Sequence, residues 1–169
     1  MECRPLHVLP IILILAVSFC SSCPVAAEEP CLRSAWAALN VEDYTGAIKA
    51  ADLCIDTFGR AADRQEAKLQ KDGLPITEPG PPPTEIDKNR IFRQGVLNDV
   101  AAAYFIKGKA AEAQARKRFK NESERTNFRR IATESYETAC RYKHALTWDP
   151  RTSSFWSPCE AASDRLPLR

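Results

Sequence analysis

The chain has 169 residues, of which 44% are hydrophobic and 27% charged, and its formal net charge at neutral pH is +2. That length suits one domain with a real core and argues against a second. Abundant Ala, Glu, Lys, Arg and Gln favour helix, and no run of alternating Val, Ile and Thr suggests a sheet, so nearly all helix is expected. Charge is spread unevenly: residues 28–84 carry 6 Lys or Arg against 10 Asp or Glu, whereas residues 85–145 carry 14 against 8. Such asymmetry steers an oppositely charged partner to one face or holds the two halves together.

After Arg4 no charged side chain follows until Glu28, the apolar stretch 8–19 is too short for a comfortable membrane span, and Val25, Ala26 and Ala27 offer small residues for cleavage. Residues 1–27 are therefore predicted to be a signal peptide, with 28–169 a single helical domain in the periplasm or secreted. Two alternatives stay open: an uncleaved anchor over residues 5–27, and lipid attachment at Cys20 or Cys23. Cleavage removes Cys3, Cys20 and Cys23 and leaves Cys31, Cys54, Cys140 and Cys159, an even number in an oxidising compartment.

Leu32, Ala35, Trp36 and Leu39 recur at helical spacing. After a polar turn at 40–42, Asp43 stands at an N-cap, and Tyr44, Ala47, Ile48, Ala51, Cys54, Ile55 and Phe58 form the apolar face of a second helix, predicted to be antiparallel to the first. Gly59 predicts a stop or bend, with a weaker face through Ala62, Gln65 and Leu69 to about Lys71, so 28–71 forms a first helical unit. Residues 72–84 hold five prolines and two glycines and read as a semi-rigid spacer more than as a docking site for a proline-recognition module.

Thr84 with Asp87 resembles a capping arrangement that restarts the helix, opening a second unit over 85–150. Its face through Phe92, Leu97, Val100, Tyr104 and Phe105 is predicted to end at Lys107 and Gly108, with a further alanine-rich helix after it. The polar run 120–127 predicts a break or an exposed helix. From Phe128 the stripe resumes through Tyr136 and Tyr142 to Leu146 and stops at Asp149 and Pro150. In the C-terminal segment 151–169, Ser157, Pro158 and Glu160 give an N-cap, a proline at N1 and a capping-box acid, hence a short terminal helix.

The run Glu42, Asp43, Tyr44, Thr45, Gly46, Ala47, Ile48, followed by Cys54 and Ile55, resembles the turn and second helix of a tetratricopeptide repeat. Leu97, Val100, Ala101, Tyr104, Gly108 and Ala113 match further positions of that motif, and residues 145–150 resemble its ending. The first unit departs from the motif by carrying Glu42 at the turn glycine and Gly59 at the closing proline. The expected fold is all-α: antiparallel helical hairpins in a tetratricopeptide-like short stack, or an irregular helical bundle. In either, bridges Cys31 to Cys54 and Cys140 to Cys159 would staple a stack of so few units, although three connectivities are open. The resemblance also places Asn98, Ala102 and Phe105 on a ligand-facing helix side, with Gln94 and Arg90 one and two turns before Asn98. An arginine, amides and an aromatic ring suit an extended peptide.

Chemistry is sparse. His144 is the one histidine of the predicted mature chain and reads as a helix-surface residue; no metal-ligand spacing, nucleophile elbow or phosphate-cradling glycine loop is present. No cofactor or catalytic residue is expected. Arg116, Lys117, Arg118, Lys120, Arg125, Arg129 and Arg130 form a basic run beside Phe119 and Phe128, read first as a solvated helix face and secondly as a surface for an anionic envelope lipid, polymer or acidic protein patch. Export argues against nucleic acid. Asn121, Glu122 and Ser123 make a glycosylation sequon if the source is eukaryotic. The expected function is non-catalytic protein or peptide binding, with a carboxylate hydrolase or a membrane-tethered envelope component as alternatives.

Overall fold

The computed structural model describes residues 30–117 and 121–166. The predicted signal peptide lies outside the described residues. Among the described residues six helices and a two-stranded hairpin follow in chain order: α1 Pro30–Asn40, α2 Tyr44–Lys71, α3 Glu85–Phe92, α4 Gly95–Ala115, α5 Glu122–Ala139, β1 Thr147–Asp149, β2 Ser154–Trp156 and α6 Pro158–Ser163. The protein is mostly helical, as its composition predicts, and its helices pack against one another. Among the described residues no helix is long and apolar enough to cross a membrane.

Local signals set most of the helix starts. Asp43 Oδ1 accepts the Gly46 N–H at 2.9 Å, Thr84 Oγ1 accepts the Asp87 N–H at 3.1 Å, and Ser157 Oγ accepts the Glu160 N–H at 3.2 Å. Each satisfies one of the amides orphaned at a helix start. Asn121 opens α5 in the same way: its side chain accepts the Glu124 N–H at 2.8 Å while the Glu124 carboxylate accepts the Asn121 N–H at 3.2 Å, a complete capping box. The polar run 120–127 thus contains a helix start, and the sequon asparagine serves as its cap.

Three predicted boundaries are corrected. Helix α2 runs through Gly59 to Lys71, because Ala62 and Glu66 are buried beyond it and the packed face outweighs glycine's helix penalty of about 1 kcal/mol. Helix α4 likewise runs through Gly108 to Ala115 as one element. Helix α5 ends at Ala139, with Cys140 as its C-cap, and the apolar residues up to Leu146 belong to the turns that follow. Residues 145–150, matched by sequence to the end of a repeat helix, instead enter β1.

The central element is α4, which packs on α1, α2, α5, α6 and β1. Alanine makes this possible: Ala35, Ala47, Ala51, Ala102, Ala103 and Ala110 are fully buried where α1, α2 and α4 meet. The Cys31–Cys54 disulfide ties the start of α1 to the middle of α2. Those cysteines lie at similar distances before and after the 41–43 turn, as an antiparallel hairpin requires. The second expected bridge is absent: Cys140 and Cys159 are free thiols. Cys140 Sγ donates to the Cys159 carbonyl at 3.1 Å, and burial, followed by the hydrogen bond with Cys140, pushes the Cys159 thiol up to about 11.

Residues 72–84 do more than separate two units. In the β1–β2 ladder Trp148 faces Phe155, and the Phe155 backbone groups point outward, where Gly80 exchanges two hydrogen bonds with them at 2.8 Å. His144 secures the other end of the segment. It is 7% exposed, off any helix, and its Nδ1 lies 2.9 Å from Glu66 Oε1 while Nε2 lies 3.0 Å from the Leu74 carbonyl. Glu66 also accepts the Lys143 and His144 N–H groups and a Gln70 Nε2 bond. The helix-surface reading of His144 is therefore corrected: it is part of a buried clasp joining α2, the proline-rich segment and the turn after α5.

Candidate functional site

A cleft of about 700 Å³ opens between α1, the start of α4 and the β1–β2 hairpin. Helix α1 supplies Arg33, Trp36 and Asn40, residues three and four apart that share one helix face; α4 supplies Asn98 and Asp99. Phe92, Trp148 and Trp156 complete the aromatic part of the wall, so all three tryptophans of the chain line this one cleft. Each is half-buried.

The rings hold one another in place. Trp36 meets Trp156 edge-on at 6.2 Å between centroids, and Trp156 packs on Phe105 at 5.2 Å. On the other side Trp148 packs edge-on against Phe155 at 4.9 Å and Phe92 at 6.1 Å, with Lys88 Nζ 5.2 Å from its ring centroid. Edge-to-face contacts fix ring orientation, and each tryptophan keeps part of its surface exposed. The hairpin is the means of presentation: its pairing places Trp148 opposite Phe155 and Trp156 opposite Thr147.

Charge in the cleft is balanced, with Arg33 and Arg151 against Asp99 and Asp149. Asp149 accepts the Arg151 N–H at 2.9 Å and its guanidinium at 3.3 Å, and these bonds hold the Asp149 carboxyl below the usual carboxylate range. Thr147 Oγ1 is buried with no hydrogen-bond partner among the described residues. No group of three or more His, Cys, Asp or Glu is placed to hold a metal ion among the described residues.

No family model, curated protein or solved structure matches this chain.

Of the five residues singled out by sequence, Asn98 lines this cleft. Its amide is used internally: Nδ2 donates to the Ile91 carbonyl at 2.9 Å and Oδ1 accepts the Leu146 N–H at 3.0 Å, so it ties α3 and the approach to β1 onto α4. Ala102 is fully buried between the first two helices and α4, and Phe105 is 7% exposed beneath Trp156 and Tyr136. Arg90 pairs with Asp87 on α3 at 3.1 Å, and Gln94 sits at the start of α4 without a side-chain cap bond. Neither is among the cleft residues. Sequence reasoning missed Phe92, Trp148, Arg151 and Trp156. The signal was there: Trp148 before and Phe155 and Trp156 after the turn-forming run Asp149, Pro150, Arg151, Thr152, Ser153 read as a short hairpin.

Proposed function

We propose that this protein is an exported, non-catalytic helical binder of the tetratricopeptide type, which holds a segment of a partner protein in the tryptophan cleft. The observation that carries this reading is the convergence of every tryptophan of the chain on one cleft whose rim is polar and charge-balanced. Aromatic rings beside amide and paired charged groups suit a peptide that brings an apolar or aromatic side chain and an unsatisfied backbone. The low net charge of the rim favours such a partner over a polyanion.

The repeat resemblance is supported by the α1–α2 turn. Glu42 stands where the motif has glycine, and its φ of 60° is the left-handed conformation that favours glycine. Stacking α4 beside α1 brings one helix from each unit to the side where the cleft lies. The Cys31–Cys54 bridge supports a periplasmic or secreted location, because structural disulfides persist in oxidising compartments.

Peptides selected from a displayed random library on the mature protein test the proposal. Bound peptides should share an aromatic or large apolar residue and shift the intrinsic tryptophan emission, and Trp148→Ala should weaken them by about 2 kcal/mol, the size of a hot-spot truncation. Selected peptides that bind Trp36→Ala and Trp148→Ala as well as the parent protein would rule the cleft out.

A further inference from the structure

A second cleft, of about 630 Å³, shares no residue with the first and is formed by the end of α4, one side of α5 and the residues after α6. Four arginines line it, Arg116, Arg125, Arg129 and Arg165, against two carboxylates, Glu112 and Glu137. The tryptophan cleft, by contrast, has two of each sign, whereas here the arginines stay in excess even when Glu122, which pairs with Arg125 and Arg129, is counted. This cleft is where part of the basic run of the sequence folds into a concave surface.

The guanidinium groups are held in advance. Glu112, with its side chain 17% exposed, accepts the Tyr136 hydroxyl at 2.8 Å and pairs with both Arg116 and Arg165. Glu122 accepts Arg125 Nε at 3.0 Å and Arg129 Nη1 at 3.1 Å. Two carboxylates thus each position two arginines, and those bonds occupy only part of the five N–H donors that each guanidinium carries. Ordering arginines before a ligand arrives lowers the entropy cost of binding it.

We infer that this cleft is a binding site for a small organic anion bearing phosphate. Guanidinium forks match phosphate oxygens in paired, charge-assisted hydrogen bonds, and four of them exceed what a single carboxylate can engage. The volume fits a molecule with a body as well as a charged group, and Ala115, Ala132 and Leu166 give that body an apolar wall. Residues 85–145, which supply most of this cleft's lining, are basic on balance, and such a charge attracts an anion. A soluble phosphate ester and a phospholipid headgroup offer the same chemistry.

Titration calorimetry with inorganic pyrophosphate, and flotation with phosphatidylcholine vesicles with and without phosphatidic acid, separate the two sources. The test variant is Arg116→Gln with Arg129→Gln, whose side chains are 71% and 62% exposed and so leave the fold intact. Lys68→Gln with Lys71→Gln removes the same charge on α2, away from the cleft. The arginine pair should weaken pyrophosphate binding by at least about tenfold while the lysine pair leaves it within about twofold. Pyrophosphate binding with that dependence supports a soluble ligand, and vesicle binding with the same dependence supports a headgroup. Equal losses in both double variants, or binding of neither probe, would overturn the inference.

Discussion

Two helix-interior glycines should respond in opposite directions to the same substitution. A methyl carbon placed on Gly108 would lie 2.5 Å from Tyr136 Cε1 and 2.6 Å from Cδ1, far inside contact distance, and the ring is 2% exposed with nowhere to retreat. Moving it also strains the Tyr136 hydroxyl bond to Glu112, a charge-assisted bond worth about 1.5–3 kcal/mol. Overpacking adds roughly 1–3 kcal/mol, and alanine returns about 1 kcal/mol of helix propensity. Gly108→Ala should therefore destabilise the fold by about 2–4 kcal/mol. On Gly59 the same carbon meets only Ile55 Cγ2 at 3.9 Å, an ordinary contact, so Gly59→Ala should stabilise by up to about 1 kcal/mol. Urea unfolding followed by far-ultraviolet circular dichroism reads both: with a slope of roughly 2 kcal/mol/M, the Gly108→Ala midpoint falls by about 1–2 M and the Gly59→Ala midpoint rises by up to about 0.5 M. In a Tyr136→Ala background Gly108→Ala should become neutral or stabilising. A Gly108→Ala midpoint at or above that of the parent protein would refute the packing argument.

Burial raises Tyr136 and Tyr142, and their hydroxyls donate to Glu112 and Asp63, so the folded state holds those protons more tightly than the unfolded chain. Their contribution is fully present below the unfolded tyrosine value of about 10 and is lost as pH rises toward the folded values; Tyr136→Phe with Tyr142→Phe should flatten that alkaline decline in urea midpoint, and an unchanged decline would contradict it. Glu42→Gly should raise stability by about 0.5–1 kcal/mol by relieving a left-handed non-glycine residue, measured by thermal unfolding. Intact mass after alkylation in denaturant should show two alkyl groups on Cys140 and Cys159 before reduction and four after it for a chain starting at Glu28, and reducing Cys31–Cys54, 23 residues apart, should cost about 3 kcal/mol.

What could be read from the sequence and what could not divides along the range of the interactions involved. Caps at Asp43, Thr84 and Ser157 act over three residues and are legible from three residues. The apolar stripe of α2 is equally local, and with the 41–43 turn it places Cys31 and Cys54 side by side. Gly59 and Gly108 mislead because a glycine's meaning depends on what lies across from it: at Gly108 the partner is the ring of Tyr136, 28 positions away in a different helix. His144 misleads in the same way, since its carboxylate partner Glu66 comes from the opposite half of the chain and converts a surface residue into a buried clasp. The tryptophan cleft belongs to this second class. Trp36 follows from a helical stripe, but its meeting with Trp156 depends on a hairpin whose outer edge is taken up by Gly80, a residue that composition alone assigns to a spacer. The candidate site therefore emerges where three distant, individually ordinary segments close on one another. Removing any one of them, the proline-rich segment included, should disturb the cleft before it disturbs the helices.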